Sequence, residues 1–210
     1  HEANKQRNRE RILAAADEII RDQGLESLSM RYLADYAGVS LRTPYNLFSS
    51  KTEIIAELLM RRVGELMAEV GQSATGEGGA STGLMALFGL IDGLRAAAPD
   101  LGPVRAMFHE IMLAPEQEMR DRSIGFAAQV IEPFVAQALS QRQLKPGTDV
   151  VVLTRHLQVL LLAIAGMWAA GQLTLEEASH HTERSWCDAL MPLVSTKAAA
   201  LLKARLSAGS

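Results

Sequence analysis

The chain of 210 residues has a single cysteine, Cys187. One thiol excludes an internal disulfide framework and fits a reducing cytoplasm. Long apolar runs are also missing. The longest, Val159 to Gly171, has thirteen residues. That is too short to cross a bilayer as a helix, so a buried core helix and no membrane association are expected. No secretory leader is visible, and the first residue is His1 instead of Met, so a trimmed or tagged start is expected. No segment keeps up the apolar–polar alternation of a strand, and no internal repeat is found. Nor is there an excess of one charge, since 21 Lys/Arg stand against 24 Asp/Glu for a net −3. Residues 1–62 carry ten Lys/Arg and nine Asp/Glu, and residues 63–210 carry eleven and fifteen. Any affinity of the amino-terminal part for nucleic acid would depend on where its charges sit.

Catalytic signatures are absent too. Gly78 and Gly83 have phosphate-loop spacing, but Leu84 and Met85 follow where Lys and Ser/Thr are needed. There is no Gly-x-Ser-x-Gly elbow, and His109-Glu110 lacks the second His of a metalloprotease helix. His180, His181, Glu176, Glu177 and Cys187 are metal-ligand types, but helical spacing spreads them over different faces, so a solvated or interface-facing helix is the better reading than zinc. His156 is expected as a satisfied core or dimer-interface histidine. The chain is therefore expected not to be an enzyme, and to need no cofactor and no metal.

What is present is helix, with 48% hydrophobic residues, enough for a sizeable core in one or two domains. Residues 5–23 repeat Ile12, Ala16, Ile19 and Gln23 at helical spacing, a stripe widened by Leu13 and Ile20. Arg7, Arg9 and Arg11 lie near that helix's start, where cations oppose its dipole; a phosphate backbone nearby or plain solvation would each account for them. A helix from about Lys51 to Val70 has a broad apolar face, Ile54, Ile55, Leu58, Leu59, Val63, Leu66, Met67 and Val70. Gly71 to Gly83 reads as a flexible, small-residue loop. Beyond it, helices are expected over Leu84–Ala98, Pro103–Leu113, Pro115–Gln143 with a bend near Pro133, Asp149–Gly171, and Leu175 to about Leu206 with an interruption near Pro192.

Ser29 to Thr52 organises the rest. Ser29 is a good N-cap. Met30, Leu33, Ala34 and Ala37 face inward from the short helix it begins. Gly38 supplies the positive φ that stops this helix. Val39 fills the angle, and Ser40 caps a second helix, Leu41 to Leu47. Two short helices joined by a glycine turn form a helix-turn-helix, here 29–48, whose second helix enters a DNA major groove.

Gly24, Ser29, Leu33-Ala34, Ala37-Gly38-Val39-Ser40, Tyr45, Phe48 and Ser50-Lys51 match, in order and without a gap, the DNA-binding domain of the tetracycline-repressor (TetR) family, which residues 8 to 68 resemble. The resemblance implies an all-α fold in two parts. Residues 5–70 would be a three-helix helix-turn-helix DNA-binding domain, and residues 71–210 a helical ligand-binding and dimerisation domain. Arg42, Thr43 and Asn46 would face base edges, Arg pairing with guanine, Asn with adenine and the Thr methyl with thymine. Tyr45 and Lys51 resemble the family's phosphate contacts, and Arg31 could hold backbone as well. Pro44 departs from the family's usual apolar residue. It is placed fourth in the helix, where its missing N–H would leave the Ser40 carbonyl unbonded and make the first turn tighter or looser.

A dimer doubles the footprint and requires a palindromic double-stranded operator. The helices near 149–171 and 175–206 offer the apolar surface for a homodimer, for which the resemblance implies a four-helix bundle, two helices from each subunit. Phe88, Met107, Phe108, Met112, Phe126, Met167 and Trp168, with the polar Arg105 and His109, are candidates to bind a hydrophobic or amphipathic effector, although each one singly reads as core. The implied function is a transcriptional regulator, a repressor released from its operator by that ligand. The alternative is a helical small-molecule-binding protein or enzyme on the same fold without a DNA role.

Overall fold

The computed structural model describes residues 2–74, 83–98, 101–115 and 117–208. The described residues form helices throughout, with one isolated antiparallel bridge between Leu144 and Val194. They divide into two compact units, His1–Arg62 with Asp100–Ser123, and Val63–Pro99 with Ile124–Ser210.

In the first unit, α1 (Glu2–Gln23) buries Ile12, Leu13, Ala15, Ala16, Ile19 and Ile20, the stripe expected from helical periodicity. Gln23, at the end of that stripe, is exposed and its side chain bonds to the Tyr32 hydroxyl. Gly24, at φ 87°, ends the helix, and a 3-10 turn, Leu25–Ser27, follows. Then come α2 (Met30–Tyr36), α3 (Arg42–Leu47) and α4 (Lys51–Ala74). Phe48, Ile54, Ile55, Leu58 and Leu59 are buried too, and ion pairs of Arg9 with Glu57, Glu10 with Arg61 and Asp17 with Arg62 tie α1 to α4. The unit also takes in α6 (Gly102–Leu113), which lies beside the 3-10 turn and buries Met107 and Ile111. Helix α4 continues to Ala74, so Gly71–Ala74 are helical where a loop is expected from their small side chains. Residues 75–82 of that expected loop lie outside the described residues.

The second unit is built from the carboxyl-terminal part of α4, α5 (Leu84–Ala96), α7 (Gln117–Ser140) from Ile124 onward, α8 (Val150–Ala169), α9 (Leu175–Leu190) and α10 (Thr196–Ala208). Its core joins Leu87, Phe88 and Ile91 of α5, Ile131 and Val135 of α7, Leu153 and Leu157 of α8, Trp186 and Leu190 of α9, and Leu202 of α10. Local chemistry sets the helix limits. Asp149 caps α8 by accepting from the Val152 N–H, at 3.0 Å. Thr174 and Glu177 make a reciprocal capping box at the start of α9. Those hydrogen bonds from Thr174 hold the Glu177 carboxyl below its usual range.

Pro133 lies within α7 without ending it. The helix closes through Arg142 at φ 56°, an unusual left-handed conformation for a side chain with a Cβ. Gln143 N–H then bonds the Ala138 carbonyl at 2.9 Å, and Arg142 N–H the Leu139 carbonyl at 3.0 Å, the double bond pair of a left-handed helix stop. Here the sequence turns back on itself usefully. The side-chain oxygens of Gln137 and Gln143 accept from the free N–H groups of Gly83 and Leu84 at the start of α5. Gly83 must be glycine, because its φ is 60° and a Cβ there would come within 2.2 Å of Gln143 Oε1.

Candidate nucleic-acid interface

The helix-turn-helix forms as its residue types dictate. The Ser29 hydroxyl accepts from the Tyr32 N–H at 3.2 Å and starts α2. Met30, Leu33 and Ala34 turn inward and are buried, while Ala37 is half-buried. At the other end, Val39 N–H bonds the Ala34 carbonyl at 3.0 Å and Gly38 N–H bonds the Asp35 carbonyl at 3.2 Å. Gly38, at φ 62°, makes this double bond pair possible without strain.

The start of α3 differs from expectation. The helix begins at Arg42 with Leu41 in the cap position, and no side chain caps it. Ser40 acts through its backbone, its carbonyl accepting the Thr43 N–H at 2.8 Å in a tight three-residue step, and its hydroxyl lies 2.9 Å from the Thr43 hydroxyl. Pro44 is therefore the third helical residue, where an N–H has no partner inside the helix anyway. It costs no helix bond there, it is buried, and its carbonyl receives the Phe48 N–H at 2.8 Å. Of the two outcomes a proline in this turn allows, the tighter is found.

With Pro44 facing inward, its neighbours face out. Tyr45 is 58% exposed and is not a core residue. Arg42 and Asn46 are exposed, as is Arg31 on α2, and none of the three makes an ion pair or hydrogen bond among the described side chains. Thr43 is half-buried with its hydroxyl on Ser40. Lys51 starts α4, its Nζ 4.0 Å from Glu110 on α6, a loose pair between two partly exposed groups. Ser50 caps α4 by accepting the Glu53 N–H at 3.2 Å, and Glu53 accepts the Ser49 N–H at 2.6 Å. Burial acts to raise the Glu53 carboxyl, but the Ser49 hydrogen bonds and the Arg9 charge outweigh it and leave the carboxyl below its usual range.

The arginines near the start of α1 turn out to have internal work. Arg9 donates to the Leu47 carbonyl at 2.8 Å, pairs with Glu57, and lies 4.2 Å over the Phe48 ring. Arg11 donates to the Ala37 carbonyl at 2.7 Å, satisfying the end of α2. Arg62 pairs with Asp17 at 2.7 Å. Arg61 holds Glu10 at 2.7 Å, which keeps that carboxyl below its usual range and raises the guanidinium. Two tyrosines passed over in the sequence brace α2 on α1, Tyr32 through Gln23 and Tyr36 through Glu18 at 3.2 Å. The Glu18 hydrogen bond raises the Tyr36 phenol above its ordinary value.

The nine effector candidates do not fall in one unit. Met107, Phe108, His109, Met112 and Arg105 belong to α6 in the first; Phe88, Phe126, Met167 and Trp168 belong to the second. Phe88 is fully buried, edge-on to Trp186 at 6.3 Å with Arg205 at 5.0 Å over its ring. Arg205 is in turn paired with Asp92 and with the buried Glu183, which also holds Arg95, so α5, α9 and α10 are clasped there. Met107 is buried, Phe108, Met112, Phe126 and Trp168 are half-buried, and Arg105, His109 and Met167 are exposed.

Helix α8 mixes polar and apolar residues on both of its faces, with Leu153 and Leu157 in the core and Arg155 exposed. Thr154 and Gln158 face inward and are buried, while Val151, Val152, Val159 and Met167 are 69%, 65%, 57% and 44% exposed. His156 is exposed between them, so the core reading of this histidine is wrong. By length and composition α8 could cross a membrane, with a mean hydropathy of 1.9. In this fold it lies along α9, and the Trp186 indole N–H bonds its Leu157 carbonyl at 3.0 Å. His180 and His181 are exposed whereas Cys187 is buried, and no group of three metal-ligand side chains converges among the described residues.

Comparison with known proteins places these features. Residues 12–58 match the family model described as bacterial regulatory proteins, tetR family. The chain is 40% identical over 65 residues to the HTH-type transcriptional activator FasR of Mycolicibacterium smegmatis, a match covering 31% of this chain and 30% of that protein. Among solved structures, Thermus thermophilus FadR, a TetR-family transcriptional repressor in complex with lauroyl-CoA, superposes with a TM-score of 0.71 at 21% identity over 89% of this chain and 95% of that one. SmeT, the repressor of the Stenotrophomonas maltophilia multidrug efflux pump SmeDEF, superposes with a TM-score of 0.59 at 20% identity over 90% and 92%. Residues 12–58 thus carry the sequence of the tetR-family regulatory domain, and the chain as a whole shares the all-helical fold of those solved structures.

Proposed function

We propose that the protein is a homodimeric, sequence-specific DNA-binding regulator, a repressor released from a palindromic operator by a small molecule. One observation carries this reading. Arg31, Arg42, Tyr45 and Asn46 stand exposed on α2 and α3 with no partner among the described residues, while Arg9, Arg11, Arg61 and Arg62 in the same unit are all engaged. Exposed cations beside a base-reading amide on a short helix suit a duplex: Arg42 and Asn46 read base edges, Arg31, Tyr45 and Lys51 hold phosphate, and Thr43 offers its methyl. A single six-residue helix reads few base pairs, so two copies are needed. The outward apolar stripe of α8 supplies their contact, since valines left in water are stabilised by burial against a second copy.

The effector is assigned to the second unit. Helix α4 runs without a break from the recognition unit into that one, which gives a covalent route for a ligand to bias the spacing of two recognition helices. It does so only if it binds one arrangement more tightly than the other. Relatives are named both as activator and as repressor; repression is proposed here, and a reporter with the operator moved upstream of or across the promoter separates the two.

Selection of bound duplexes from a random library, at fixed salt, tests the reading. An enriched palindrome is the expected result. A pool with no enrichment, from protein refolded free of small molecules, would overturn it in favour of a ligand-binding protein without a DNA role.

A further inference from the structure

A single leucine in water needs no explanation by itself. Leu41 differs from such a residue in where it stands. It is 49% exposed, whereas Leu28 and Leu33 of the same unit are 2% and 0% exposed. It occupies the cap position of α3 with helical dihedrals, φ −53° and ψ −30°. Its side chain therefore follows the helical period and lies one turn before Tyr45, as Arg42 lies one turn before Asn46. The burial pattern agrees. Leu41, Arg42, Tyr45 and Asn46 are exposed, while Pro44 and Phe48 are buried. Leu41 is thus part of the outward face of α3, beside its guanidinium and its amide.

A second methyl-bearing side chain lies close by. Thr43 is half-buried, and its hydroxyl lies 2.9 Å from that of Ser40. Of the two, Leu41 is the more accessible. The exposed cations Arg31 and Arg42 draw a polyanion to this face. Leucine has no donor or acceptor to offer once a duplex is there. In a major groove the thymine C5-methyl is the one apolar group on a base edge; the other groups donate or accept hydrogen bonds. A leucine covering one of those would displace its water and return no hydrogen bond. Against a methyl it removes apolar surface from water on both sides.

We infer that Leu41 is a specificity-determining residue that selects thymine, through its C5-methyl, at one position of each half-site. The inference rests on the DNA-binding reading above and adds to it a base contact made without a hydrogen bond, beyond the one Thr43 offers. Arg42 and Asn46 read polar edges on the same face, so Leu41 extends the half-site by a base that they do not specify.

The test uses the full chain and the palindrome enriched from the random library. Each thymine of one half-site is replaced in turn by uracil, which removes the C5-methyl and keeps every donor and acceptor. At one position the unaltered protein is expected to lose about fourfold in affinity, the worth of one buried methyl. Leu41→Ala is expected to bind the thymine and uracil duplexes equally there, and Thr43→Ser to keep the difference. With cytosine at the same position, 5-methylcytosine is expected to recover about fourfold for the unaltered protein and nothing for Leu41→Ala. The thermal midpoint of Leu41→Ala is expected to match that of the parent, since the side chain lies outside the core. No uracil-sensitive thymine, a sensitivity that Leu41→Ala leaves intact, or one that Thr43→Ser abolishes overturns the inference. A Leu41→Ala variant changed only in its sedimentation assigns the side chain to a contact between copies and overturns it as well. A library with no enriched palindrome overturns the DNA-binding reading and the inference together. An enriched palindrome indifferent to uracil overturns the inference alone.

Discussion

The first unit leaves Arg31, Arg42 and Asn46 exposed on α2 and α3, while the second leaves Val151, Val152 and Val159 exposed on α8. Both sets lie beside well-packed cores and could in principle have been exchanged. Charge in water costs nothing and attracts a polyanion, whereas apolar surface in water is unfavourable and is relieved only by another apolar surface. The difference assigns each unit its own kind of partner. It also shows why arginine count alone is uninformative in the first unit. Arg9 and Arg11 close carbonyls that the turn and the helix ends leave open, whereas Arg42 closes none.

The largest effect should come from charging the apolar stripe. Val159→Glu would bury two like charges near each other in the proposed dimer, a cost of several kcal/mol, or about a thousandfold in dissociation constant. Sedimentation should show monomer at micromolar concentration, with a thermal midpoint lowered by the lost dimer contact and no longer dependent on protein concentration. A variant that stays dimeric would place the contact elsewhere.

Next come the two classes of arginine. Arg9→Ala should lower the stability of the first unit by about 1–3 kcal/mol, through the lost bonds to Leu47 and Glu57 and the lost stacking on Phe48. Its slope of DNA affinity against salt should not change. Arg42→Ala should do the opposite, leaving the melting temperature alone and costing about 1–3 kcal/mol on the selected palindrome but little on random duplex. Lys51→Ala should weaken both duplexes alike and reduce the salt slope. If Arg42→Ala and Lys51→Ala lost affinity equally on matched and random DNA, the division into base and phosphate contacts would be wrong.

The smallest effect concerns the second unit's core. Burial pushes the Cys187 thiol up, to about 11, with Glu183 adding to the shift. An acid whose folded value is raised stays protonated in the native chain while the unfolded chain ionises. Its contribution is therefore constant below pH 9 and stability falls as pH rises through the interval from about 9 to about 11. Iodoacetamide at pH 8 should leave Cys187 unlabelled until denaturant is added; rapid native labelling would mean that α9 opens readily.

Much of the recognition unit was legible because its constraints are local. Ser29 caps whatever helix follows it, Gly38 stops that helix through its own φ, and the apolar spacing of α1 is a property of one segment. The start of α3 was misplaced by one residue because its first bond is a backbone contact from Ser40 that no side chain announces. Arg9 was not legible as an internal group, since Leu47 and Glu57 are 38 and 48 residues away in sequence. The same holds in the second unit for Thr154 and Gln158, two ordinary polar residues in an apolar helix until α7 is in place.

The sequence by itself determined that the chain is helical, where most helices begin and end, and that residues 29–48 form a glycine-turned helix pair. These follow from backbone dihedrals, caps and periodicity, which act within a few residues. Only the tertiary structure decided which arginines are consumed inside the fold and which are left for a partner, that α6 joins the first unit, and that α8 carries Thr154 and Gln158 inward. Those outcomes depend on groups brought together from distant parts of the chain, and burial and pairing have no meaning until the neighbours are present.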